Sequence, residues 1–220
     1  AQESPLWMRY CAISPDGSAV AFTYKGDIYT VPTTGGTARQ LTTNAAYDTH
    51  PVWSPDSKQL AFCSNREGSM DVYVMQREGG TPRRLTTNSN SETPIAFKDN
   101  NTVLYTSSIM PSAKSIIFAN RMLPQVYEVG TNGSRPHLFS ALPMMDISIR
   151  PNGDLLYHDQ KGYEDPWRKH HRSPITRDIW LRRSGKYTKL TNFNGEDRTP
   201  VWAAQGDTFY YLSEEDGTFN

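Results

Sequence analysis

The chain has 220 residues, with 23 basic and 23 acidic side chains, 36% apolar residues, 15 Gly, 15 Pro and 2 Cys. Zero net charge argues against a nucleic-acid partner, which calls for a basic footprint. Two cysteines cannot build a disulfide scaffold, no apolar run approaches the ~20 residues of a membrane-spanning helix, and 11% aromatic residues is too many for a disordered chain.

The first residues, Ala1-Gln-Glu-Ser4, carry neither a basic nor an apolar targeting segment. A start at Ala-Gln suits a chain whose secretory signal was cut after a small residue, so a periplasmic or secreted location is expected. Strand-like sequence begins at Leu6-Trp7. From there three markers recur in order. The first is Ile13-Ser-Pro-Asp-Gly17, repeated as Trp53-Ser-Pro-Asp-Ser57. It returns in weaker form as Phe97-Lys-Asp-Asn100, Ile149-Arg-Pro-Asn-Gly153 and Trp202-Ala-Ala-Gln-Gly206. The second is Asp27-Ile-Tyr-Thr-Val31, with Asp71-Val-Tyr-Val-Met75, Gln125-Val-Tyr-Glu-Val129 and Asp178-Ile-Trp-Leu-Arg182. The third is Gln40-Leu-Thr-Thr-Asn44, with Arg84-Leu-Thr-Thr-Asn88, His137-Leu-Phe-Ser-Ala141 and Lys189-Leu-Thr-Asn192.

Each repeat reads as four strands. Ser-Pro-Asp-Gly ends the first strand in a turn: Pro presets φ, Asp bonds back to the backbone, and Gly accepts positive φ. The second strand is apolar, as in Leu60-Ala-Phe-Cys-Ser64, and the third alternates in polarity. Gly35-Gly36 and Gly79-Gly80 lead into the fourth. The one helical candidate is Ser112 to Asn120, inside an insertion. Antiparallel four-strand units at a period above forty residues predict an all-β propeller. The blades fall at about 6–44, 47–88, 93–141 and 144–192, with a partial blade at 199–220. Residues 1–220 thus form a single propeller segment. A half-blade leaves an open edge, so the segment is expected to belong to a larger propeller, or to pair with missing blades or in an oligomer.

Pro51-Val-Trp-Ser-Pro-Asp-Ser57, Asp71-Val-Tyr-Val-Met75 and Arg84-Leu-Thr86 resemble the TolB-type "PD40" propeller repeat. That repeat occurs in TolB, in tricorn-type proteases and in propellers of prolyl-oligopeptidase relatives. The start directly into a blade, and the stretch from Tyr163 through Arg172 to Trp180, are most similar to the N-terminal propeller of secreted tricorn-like peptidases of the S41 group. The resemblance implies a non-catalytic segment that binds or guides peptides toward a catalytic domain not contained in these residues. The alternatives are a TolB-like periplasmic scaffold for protein partners, or the propeller of a prolyl-oligopeptidase relative.

The residues themselves offer no Gly-x-Ser-x-Gly elbow, His-Glu-x-x-His, P-loop or Cys-x-x-Cys. No catalytic residue and no cofactor are therefore expected from this chain. His170-His171 is the only histidine cluster, and adjacent strand residues face opposite ways, so no metal site is expected. His50, His137 and His158 are read as packing or surface residues. Charge is distributed unevenly: Trp167 to Lys189 holds eight basic residues and one acidic. Two long insertions, Ser107–Pro124 and Gln160–Arg177, both follow a second strand and so emerge on the same side of their blades. The first carries Met110, Ile116, Ile117, Phe118, Met122 and Leu123 as an apolar lid. In the second, Trp167, Arg168, Lys169, His170, His171, Arg172 and Arg177 make a candidate peptide-binding set. Arg forks fit a terminal carboxylate bidentately, and Trp supplies a flat wall. The opposing reading is a solvated charge run, or padding against a following domain.

Overall fold

The computed structural model describes residues 7–108, 124–162, 173–203 and 206–219. Among them there is no helix, and so none long and apolar enough to cross a membrane. The first sheet holds β1 (Arg9–Ile13), β2 (Ala19–Tyr24), β3 (Asp27–Pro32) and β4 (Arg39–Gln40). The second holds β5 (Asp48–Trp53), β6 (Gln59–Glu67), β7 (Ser69–Gln76) and β8 (Gly79–Arg84). The third holds β9 (Glu92–Asp99), β10 (Thr102–Ser107), β11 (Gln125–Gly130) and β12 (His137–Ser140). The fourth holds β13 (Met144–Ile149), β14 (Leu155–Asp159), β15 (Ile179–Arg183) and β16 (Lys186–Lys189). A hairpin of β17 (Asp197–Trp202) and β18 (Phe209–Ser213) follows.

Every sheet is ordered as its strands occur in sequence, which is the up-and-down blade expected. The chain divides into two compact units. One is built on the first two sheets and most of the third, the other on the fourth sheet and the hairpin.

The markers act as local devices. In the first, Ser14 Oγ donates to Asp16 Oδ1 (2.6 Å) and accepts Ala19 N–H (3.0 Å), while Asp16 Oδ1 accepts Ser18 N–H (3.0 Å). Ser54 and Asp56 repeat the same bonds. Gly17 supplies φ 70, and Ser57 takes that left-handed place at φ 59. The second and third markers interlock. Leu41 N–H bonds Ile28 O, and Thr42 Oγ1 then accepts Ile28 N–H (2.9 Å). Leu85 and Thr86 do the same to Val72, and Leu190 and Thr191 to Ile179. The fourth strand therefore closes on a side-chain acceptor, and in the first sheet its regular ladder is only Arg39–Gln40.

Period-two alternation builds the core. Leu60 and Phe62 of β6, with Tyr73 and Met75 of β7, pack with Ala21, Ile28 and Trp53. Ala61, Val72 and Val74, from the opposite face, pack with Leu85, Phe97, Val103 and Tyr105. Such burial contributes roughly 25 cal/mol per Å² of apolar surface.

Two strand starts differ from the sequence expectation. β1 begins at Arg9, two residues after Trp7, whose backbone is left-handed at φ 71. β17 begins at Asp197, ahead of Thr199, because Thr199 lies within a bulge at φ 54. Tyr10 (φ 54), His50 (φ 53) and Asp146 (φ 47) occupy equivalent places in β1, β5 and β13. A left-handed residue in a strand marks an inserted residue that bends the strand and re-aims its side chains.

Candidate functional site at the root of the second insertion

Of the expected peptide-binding set, Trp167, Arg168, Lys169, His170, His171 and Arg172 lie outside the described residues, as do the helical candidate and the six apolar residues of the first insertion. Arg177 is described. Its guanidinium is ion-paired with Glu196, and its N–H donates to Glu196 Oε2 (3.2 Å). Other cations of the basic run are also engaged. Arg183 meets Asp154 and Asp207, each at 2.8 Å. Lys189 meets Asp178 at 2.9 Å, and Arg182 lies 5.1 Å over the Phe139 ring.

The two stems of the insertion are tied together where they leave β14 and enter β15. Asp178 N–H donates to Asp159 Oδ1 (2.9 Å), and Asp159 N–H donates to Asp178 O (3.2 Å). Trp180 Nε1 donates to Asp159 Oδ2 (3.1 Å). Lys161 from the first stem pairs with Asp178 and donates to Thr176 O (2.7 Å) on the second. A Cβ added to Gly162 would meet Ile175 Cγ2 at 3.2 Å, a tight contact that Ile175 would have to relieve by a few tenths of an ångström. Asp178 is buried and receives both Lys161 and Lys189, which supplies the pairing that a buried carboxylate requires. This arrangement positions a segment; it offers no nucleophile with a base.

Beside the root, His158 of β14 is buried, and its Nδ1 accepts Thr199 N–H (3.2 Å). Thr199 Oγ1 donates to Asp146 Oδ2 (2.8 Å), whose carboxylate is 3.7 Å from His158. Burial holds His158 at about 4, against the opposing pull of Asp146. The imidazole is thus a neutral acceptor that secures the left-handed Thr199. Cys63 is no nucleophile either: burial pushes its thiol up to about 12.

Sequence reasoning missed Glu196, Asp159 and the buried acids that open the first strands. A signal existed. Asp48, Glu92 and Asp197 each lie seven residues beyond the Leu of the third marker, at Leu41, Leu85 and Leu190, and all three are buried.

These features define a β-propeller built from repeats that carry their own internal clamps. The chain belongs to the tricorn protease N-terminal beta propeller domain family, which it matches over residues 5–220. It is 28% identical over 219 residues to tricorn protease homolog 1 of Streptomyces coelicolor, covering 98% of this chain and 19% of that protein. The chain thus spans less than a fifth of that relative's length. The crystal structure of the tricorn protease shares the fold at a TM-score of 0.77 and 19% identity, over 98% of this chain and 21% of that one. A putative TolB from Agrobacterium tumefaciens aligns at a TM-score of 0.61 and 25% identity, over 84% of this chain and 66% of that one.

Proposed function

We propose that this propeller segment binds peptides and guides them toward a catalytic domain elsewhere in a longer, exported tricorn-like peptidase. The observation that carries the reading is the pinned root of the second insertion. Asp159, Lys161, Thr176 and Asp178 cross-bond its two stems, so whatever the insertion presents is presented from a fixed base. Membership of the tricorn propeller family supports a role beside a peptidase. Arg177, Arg183 and Lys189 already have acidic partners. The carboxylate-binding role therefore falls to Arg168 and Arg172, beside Trp167, with Lys169, His170 and His171 adding positive potential.

The test is a titration of this chain with a labelled peptide bearing a free C-terminal carboxylate, against the same peptide amidated. The free acid binds more tightly, and Arg168→Ala and Arg172→Ala each cost it tenfold or more, in line with ~1.5–3 kcal/mol per charge-assisted contact. Equal affinity for both peptides overturns the reading. A scaffold role for protein partners is the second reading, favoured by the likeness to the putative TolB.

A further inference from the structure

The β17–β18 hairpin copies the first two strands of the second sheet, register for register. In the second sheet Asp48 faces Ser64, Val52 faces Ala61 and Trp53 faces Leu60. In the hairpin Asp197 faces Ser213, Val201 faces Tyr210 and Trp202 faces Phe209. Both first strands bulge at a left-handed residue, His50 or Thr199, and both continue Pro-Val-Trp. The surroundings of Asp48 are therefore a template for those of Asp197.

Asp48 is buried and satisfied by Arg66. One terminal nitrogen of Arg66 donates to both carboxylate oxygens (3.0 and 2.9 Å), and its Nε donates to Ser64 Oγ (2.9 Å). The guanidinium also lies 5.5 Å over Phe62 and 4.7 Å over Tyr73. In the hairpin Asp197 stands for Asp48, Ser213 for Ser64 and Tyr211 for Phe62. The place of Arg66, two residues beyond the serine, is taken by Glu215.

The consequence is visible at Asp197. It is 0% exposed, and among the described residues neither of its carboxylate oxygens meets a hydrogen-bond partner. Glu196 and Glu214 are buried beside it in sequence and register. The cations near it are committed: Arg177 to Glu196, and Arg198 to the Phe219 ring at 3.8 Å. Tyr211 feels the charges of both Asp197 and Glu215, and its phenol is raised above its ordinary value by burial and by these two. The outer edge of β18 is unpaired among the described residues.

We propose that Asp197, Ser213 and Tyr211 form a receptor for an arginine side chain carried by a polypeptide, its guanidinium taking the place that Arg66 takes beside Asp48. Arginine fits where lysine does not. Its planar fork reaches the carboxylate and the serine hydroxyl together and stacks on the aromatic ring. This proposal does not rest on the peptide-binding reading of the second insertion.

The experiment uses two probes, N-acetylarginine amide and the acetylated, amidated pentapeptide Arg-Gly-Val-Tyr-Val, each with a citrulline counterpart. Calorimetric titration of the 220-residue chain is expected to show at least tenfold tighter binding of an arginine probe than of its citrulline form. Asp197→Asn is expected to abolish that preference. Binding of the pentapeptide alone places the arginine on an added strand at the β18 edge; binding of both places no such demand on its carrier. A second variant covers the case in which Asp197→Asn fails to fold. Glu215→Arg rebuilds the ion pair within the chain. It is expected to raise the thermal midpoint above that of Glu215→Gln and to eliminate arginine binding. Equal binding of arginine and citrulline probes, or a Glu215→Arg midpoint no higher than that of Glu215→Gln, overturns the proposal.

Discussion

Arg66, near the end of β6, reaches Asp48 at the start of the neighbouring β5 and satisfies both of its oxygens from a single terminal nitrogen, at 3.0 and 2.9 Å. The Asp48 side chain is fully buried and that of Arg66 is largely so, at 13% exposed. Removing the arginine leaves a buried charge without compensation. Arg66→Met is expected to cost about 3–5 kcal/mol in urea unfolding, and adding Asp48→Asn to recover part of it. A loss under 1 kcal/mol would show that water replaces the guanidinium.

The third marker makes a prediction that applies across blades. Thr42, Thr86 and Thr191 each accept a buried backbone N–H through their hydroxyls. Replacing any of them by Val keeps the volume and leaves that N–H unpaired. Each substitution is expected to destabilise by about 1–3 kcal/mol, with similar values at all three sites. Chemical denaturation of the three variants provides the comparison.

Glu92 sets a stability slope near neutrality. Burial, reinforced by the charge of Asp71, pushes its carboxyl up to about 7 from 4.5. Below 4.5 both folded and unfolded chains hold the proton, so the contribution is at its most favourable. As pH rises from 4.5 to 7 the unfolded chain releases its proton first, and stability falls, by roughly 3 kcal/mol in all. Glu92→Gln is expected to flatten this part of the profile and to be more stable than the parent at pH 8. Parallel profiles for the two proteins would contradict the assignment.

His158 acts in the opposite direction. Its folded value of about 4 lies below the ordinary 6.5, because burial disfavours the imidazolium. Above 6.5 neither state binds the proton and stability is complete. As pH falls toward 4 the unfolded chain protonates first, and stability declines by roughly 3 kcal/mol. His158→Gln retains an acceptor for Thr199 N–H and removes the titration. Its acid slope is expected to be shallower between pH 6.5 and 4, read by thermal or urea unfolding.

The blade plan is legible in the sequence. Ser-Pro-Asp-Gly, Asp-x-Tyr and Leu-Thr each describe a turn or a ladder whose bonds lie close in sequence, such as Ser14 to Asp16 and Thr42 to Ile28. Residue type and spacing are enough to specify such contacts. The insertion boundaries were equally clear, since β10 ends at Ser107 and β11 begins at Gln125. The sequence places Arg177 in the peptide-binding set but does not point to its partner, Glu196. Nothing in a single sequence says which acid a cation will meet in a neighbouring sheet.

The sequence by itself determined the all-β class, the four-stranded blades and the place of the insertions, because period-two patterns and turn residues act over a few neighbours. Only the tertiary structure decided the bulges at Tyr10, His50, Asp146 and Thr199, which depend on a mismatch in strand register. It alone decided the charge assignments as well. Arg66 meets Asp48 over a separation of 18 residues because β5 pairs with β6, and Arg177 meets Glu196 over 19 because the lead-in to β15 lies against the lead-in to β17 of the hairpin. The pairing of β17 with β18 carries Asp197 into a buried site where Glu215 stands in the place of an arginine, so the chain meets one carboxylate and leaves its counterpart without a partner among the described residues.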